Sequence, residues 1–187
     1  MKITIPENIA EITLEQYLQF NEVVNREDVT YEDLTYNKVS IFTGVKLREV
    51  KQISLKELKE INSLIDVALT TDAPFKQRFK IDDIDFGFIP NFDKITQAEW
   101  SDLMSYQDDE SKLNNLMAIL FRPVIKSSLD TYVIEEYNGT EKHAKTMLKM
   151  PFNYVKGATG FFLTLLKELQ KHIQKSMEQE QAKAIKQ

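Results

Sequence analysis

Cysteine is missing from the 187 residues, which excludes disulfides, zinc–thiolate centres and thiol nucleophiles. Glycine and proline are scarce, with five of each, and this disfavours long loops and an all-β architecture. Histidine occurs twice, at His143 and His172, each in a lysine-containing helical stretch with no second histidine nearby. That pattern predicts solvated surface histidines; a metal site or a triad would need members from distant parts of the chain. Long apolar runs are missing too, since "GATGFFLTLL" is about half of what a membrane span requires. The stretch "MKITIPENIAEITLEQ" has no apolar h-region, so no signal peptide is predicted and a cytoplasm is the expected place of synthesis and folding. Cationic excess is also absent. A net charge of -5 argues against general nucleic-acid binding, which needs a basic face.

What is present reads as one mostly helical domain. The length suits a single domain with a proper core, here residues 1–175, followed by a polar C-terminal helical extension or tail over 176–187. Three capping-box patterns mark helix starts: Thr13 with Gln16, Ser54 with Glu57, and Thr96 with Glu99. After Ser54, the residues Leu55, Leu58, Ile61, Leu64, Ile65 and Ala68 recur at helical spacing. Thr140 is placed to cap a short helix, and Gly44 to end one. "KITI" at 2–5 reads as a short strand, "DTYVIEEY" as short and extended. "QRFKIDDIDFGFIP" reads as a β-hairpin turning at Asp82-Asp83, with Ile84, Phe86 and Phe88 on one face. The apolar helix "LNNLMAILF" is expected to stop at Pro123, and a long final helix to begin near Pro151, with Phe152, Val155, Phe162, Leu166, Leu169, Ile173 and Met177 on one stripe. The expected fold is therefore α+β and mostly α: six or seven helices around one β-hairpin, with a long C-terminal helix.

Few residues stand out as candidates for a site. The acids of residues 82–110 ("DDID", "DDE") do not have EF-hand spacing and read as turn and helix-start residues. "GATG" lacks the lysine and hydroxyl of a phosphate loop; Gly157 and Gly160 instead suggest close approach of another backbone, with helix–helix contact the expected reason. Arg122, beside Phe121 and Pro123, is placed at the end of an apolar helix, where it can reach C-terminal carbonyls or pair with Asp93 or Glu99. A structural ion pair is the first reading and a partner-protein contact the second. Trp100 reads as a core residue. Nothing in the sequence assembles a nucleophile, base and oxyanion hole, and nothing implies a cofactor or metal.

The second half of the chain resembles a known group. "FGFIPNFDKITQAEWSDL", "NNLMAILFRPV", "YVIEEY" and "MPFNYVKGATGFFLTLLKEL" together are similar to small virion-associated proteins of tailed bacteriophages of Bacteroidetes hosts, including crAss-like phages. The resemblance covers about Phe86 to Leu169 and contains no catalytic motif. It implies a non-enzymatic virion protein, either cargo packed in capsid or tail or a connector or tail subunit. Its partners would be other phage structural proteins (portal, connector, tail or capsid), and it would move from host cytoplasm to virion. A cytoplasmic tail assembly chaperone is the alternative, and a small hydrolase acting through its carboxylates a remote one.

Overall fold

A computed structural model describes residues 3–129 and 131–184, with side chains described through Glu168. Leu169, Ile173 and Met177, assigned to the apolar stripe of the last helix, lie outside the described side chains, as does the side-chain character of 176–187.

The chain begins with helices. α1 (Leu14–Val24) starts at Thr13, whose hydroxyl accepts from the Gln16 N–H while the Gln16 side chain accepts from the Thr13 N–H. α2 (Tyr31–Thr43) ends at Gly44, which takes a left-handed φ of 71°. α3 (Leu47–Val50) is a single turn, and α4 (Leu55–Thr70) opens with the Ser54/Glu57 box. α4 buries Leu58, Ile61, Ile65 and Ala68 along one stripe, as its spacing predicts. The strand expected at "KITI" does not form over its described residues: 3–5 have no β-partner there. Their alternating branched residues favour extended backbone, but no strand edge lies alongside them.

The expected hairpin is half of a larger sheet. β1 (Arg78–Ile81) and β2 (Ile84–Phe88) pair in register through a two-residue turn in which Asp82 and Asp83 both have positive φ, 48° and 63°. Twisted two-residue turns need that conformation, and aspartate tolerates it. After α5 (Gln97–Tyr106) and α6 (Leu113–Leu120), the chain switches without a loop into β3 (Phe121–Ser127). β3 pairs antiparallel with β2, and β4 (Tyr132–Ile134) pairs with β3 across a bulge, giving a four-stranded antiparallel sheet in the order β1-β2-β3-β4. The fold is α+β, with eight α-helices among the described residues where six or seven were expected, and a sheet where a hairpin was expected. Proline at position 123 is compatible with this strand because of its register. It stands opposite Phe86, and its carbonyl turns toward β4 to accept the Glu135 N–H at 2.8 Å, so the missing N–H removes nothing from the β2 ladder.

The register sorts the sheet into two faces. Phe79, Phe86, Phe88 and Phe121 share one face, where Phe79 meets Tyr154 at 5.1 Å and Phe88 meets Phe161 at 5.6 Å between ring centroids. Tyr154 and Phe161 belong to α8 (Phe152–Ala184), so the long helix covers this face. Arg78, Gly87 and Arg122 form a row on the opposite face. α7 (Glu141–Met147) follows Thr140, whose side chain makes no capping hydrogen bond, contrary to expectation. α6 is apolar almost all round and buries Leu113, Leu116, Met117, Ala118, Ile119 and Leu120, which makes it the central core helix. The start of α8 is tied to the start of α1: Phe152 N–H donates to the Ile12 carbonyl at 2.7 Å and Leu14 N–H to the Met150 carbonyl at 2.9 Å.

Candidate functional site

Polar side chains converge in the interior on the face of the sheet opposite α8. Arg122 and Glu99 form an ion pair, Nη2 to Oε1 2.6 Å, with only 8% and 5% of the two side chains exposed. The sequence predicts Arg122 at a helix end; the structure has it on β3, where it reaches a side chain rather than helix carbonyls. Of its two candidate partners, Glu99 is buried and engaged, whereas Asp93 lies exposed in a short 3-10 turn, its N–H held by the Asn91 side chain. Glu99 has a second task. Its Oε2 accepts the Thr96 N–H at 2.6 Å, so one carboxylate both closes the capping box of α5 and neutralises Arg122. Trp100, the next residue, is half-buried and packs against the core.

The network extends one turn along α5. Asp102 accepts a hydrogen bond from the Tyr137 hydroxyl, and the Arg122 guanidinium lies over the Tyr137 ring at 5.6 Å from its centroid. Burial first, and the Asp102 hydrogen bond second, push the Tyr137 phenol well above its ordinary range. The phenol is therefore a fixed donor and not a base at neutral pH. The Nε of Arg122 is buried without a hydrogen-bond partner.

Two smaller clusters sit nearby. On the Arg78–Gly87–Arg122 face, Gly87 lets Tyr132 lie flat on the sheet: a Cβ built at position 87 would be 2.5 Å from Tyr132 Cε2. The Tyr132 hydroxyl donates to the Phe88 carbonyl at 2.8 Å, which holds the ring there. At the end of β4, Glu135 accepts from Lys142 and lies 2.7 Å from His143 Nε2, and these two neighbours, Lys142 first, hold its carboxyl below the usual carboxylate range. His143 is not a solvated surface residue. Its side chain is 14% exposed and meets the Phe86 ring edge-on at 6.0 Å.

The two glycines singled out in the sequence behave differently. A Cβ at Gly157 would stand 2.8 Å from the Pro74 carbonyl oxygen and 3.0 Å from that of Ala73. The close approach is thus real, but the neighbour is the connection between α4 and β1 and not another helix. At Gly160 no described atom lies within 4 Å of such a Cβ.

One outward-facing feature is an open trough of about 500 Å³ beside α4. Ile3, Ile5, Ile53, Ile61 and Leu64 line its apolar part, and Glu49, Gln52, Glu57 and Glu60 its polar part, with no lysine or arginine among the described lining residues. Glu57, Glu60, Leu64 and Val67 follow one another at spacings of three and four along α4 and so share its outer face. Leu64 is 52% and Val67 62% exposed, which continues the apolar surface beyond the trough. The Ser54 hydroxyl keeps the Glu57 carboxyl below its usual range, hence ionised at neutral pH. The sequence held a signal for this surface: Leu64 lies beside the core stripe of α4, on the edge that a narrower stripe leaves in water.

No protein-family model matches the chain, and no curated protein or solved structure matches it either. Among the described residues, no helix is long and apolar enough to cross a membrane.

Proposed function

We propose that the chain is a non-enzymatic protein that acts through protein–protein contacts. With the resemblance of its second half, this makes it a component of a tailed-bacteriophage particle, either packed cargo or a connector or tail subunit. The observation that carries the binding role is the trough beside α4. It is apolar, open, rimmed by carboxylates and continued by exposed Leu64 and Val67, a combination suited to a protein segment. The groups with chemical potential point the same way. Arg122, Glu99, Asp102 and Tyr137 hold one another in the interior, where each satisfies a structural need. The test is mass spectrometry of purified phage particles, in which the chain is expected at a fixed copy number. Its absence there, with copurification of an unassembled tail protein, would overturn the virion reading in favour of an assembly chaperone.

A further inference from the structure

We infer that the trough beside α4 receives a basic amphipathic helix of another protein. The inference rests on the reading of the chain as a protein-binding module and gives the partner a chemistry. The floor supplied by Ile53, Ile61 and Leu64 asks for large apolar side chains, and the α4 row that ends at Val67 extends this demand by another helical turn. Glu49, Glu57 and Glu60 decide the charge of what docks. None of them has a cation within 4 Å among the described residues; their side-chain hydrogen bonds are those of Glu57 with Ser54, and Lys56 adds a weaker attraction to Glu57. A neutral or acidic segment laid over the floor would strip water from these carboxylates and return nothing. A helix with apolar residues at i, i+3, i+4 and i+7, flanked by lysine or arginine, fills the floor and neutralises the rim in the same step.

The probe is a synthetic amphipathic peptide of about 14 residues, four turns long, built from leucine and lysine, titrated calorimetrically into the full chain. One-to-one binding is expected. The Glu49→Lys/Glu60→Lys variant should weaken it by about tenfold or more, and so should Leu64→Ser, which leaves the charge unchanged. Ile125→Ser, an exposed apolar position on β3, should leave it as it was. All three variants change side chains that are not buried, so matching melting curves show that the fold is intact. Failure of the peptide to bind, equal binding of a leucine–glutamate counterpart, or indifference to Leu64→Ser would each overturn the inference. Particle composition tests the virion reading separately, so the two can fail independently.

Discussion

Replacing Arg122 by methionine is the most informative single perturbation of this fold. Methionine keeps much of the volume of the arginine stem, so the variant removes the charge without opening a large cavity. What remains is the Glu99 carboxylate, 5% exposed, with one hydrogen bond from the Thr96 N–H and no counter-ion. A surface ion pair would be worth well under about 1 kcal/mol, but breaking a buried one by removing one partner costs about 3–5 kcal/mol, because the other charge stays desolvated. In a domain of this size each kcal/mol shifts the melting midpoint by about 2–4 °C, so a fall of about 6–20 °C is expected. A thermal melt reads that fall, and equilibrium urea unfolding measures the free-energy loss. Far-UV circular dichroism follows the helices and the fluorescence of Trp100, the sole tryptophan, follows α5 beside Glu99. Coincident transitions license the two-state comparison. Glu99→Gln completes the cycle. Glutamine keeps an oxygen for the Thr96 N–H but removes the charge, so the double variant should recover much of the loss, with a coupling energy toward the upper end of about 0.5–3 kcal/mol. A loss below about 1 kcal/mol for Arg122→Met, with additive single changes, would refute the argument and mean that the pair behaves as though it were in water.

Three further outcomes follow from the same packing. Gly87→Ala should destabilise by about 1–3 kcal/mol because the new methyl must displace the Tyr132 ring; combined with Tyr132→Ala the loss should fall short of the sum, and full additivity in urea titrations would contradict the contact. Gly157→Ala and Gly160→Ala should differ in sign: the first forces the 73–74 backbone away, while the second stabilises by about 0.5–1 kcal/mol as an open helix-interior position, and equal thermal shifts would refute the difference. Glu135→Gln should lower the melting temperature at neutral pH. The folded carboxyl of Glu135 is depressed by Lys142 and His143, so its contribution is present above the unfolded carboxylate value of about 4.3 and is lost as pH falls through the lower folded value. Melting temperatures of variant and parent should therefore converge in acid, and a gap that stays constant down to about pH 3 would count against the pairing.

Local chemistry was legible where it is self-contained. The boxes at Thr13, Ser54 and Thr96 each need only four consecutive residues, and all three form with both hydrogen bonds. The strand pair β1–β2 is nearly as local, and its Asp82-Asp83 turn could be read directly. β3 was not legible, because "LMAILF" is one continuous apolar run in which helix period and strand period cannot be told apart. One local and one non-local fact end α6 at Leu120. The residue ahead of a proline disfavours helical backbone, which releases Arg122, and the edge of β2 is there to pair with Phe121 and Arg122. The partner strand lies more than 30 residues upstream. The trough escaped for the same reason: its walls come from residues 3–5, 49–53 and 57–64, and Ile3 and Ile5 line it where no described strand edge takes that segment up. Glu99 could be named as a partner for Arg122 beside Asp93, but the choice between them depends on how α5 packs on the sheet.

That choice has consequences beyond one ion pair. Side chains alternate faces along a strand, so a slip of β3 by one residue would move Arg122 to the side of Phe79, Phe86 and Phe88 and Phe121 to the side of Glu99. Hydrophobic burial alone discriminates weakly here, since Phe121 is followed by Val124 and Ile125, which place an apolar residue on each face in either register. Arg122 makes the alternatives unequal, because in the slipped register a guanidinium would face an aromatic core without its carboxylate, and Glu99 would be buried without its cation. Glu99 is itself fixed by the Thr96 N–H at the start of α5, so the register of β3 is set against the first turn of that helix and not against a mobile side chain. The arginine that first suggested a site therefore works inward. It holds together the sheet and α5.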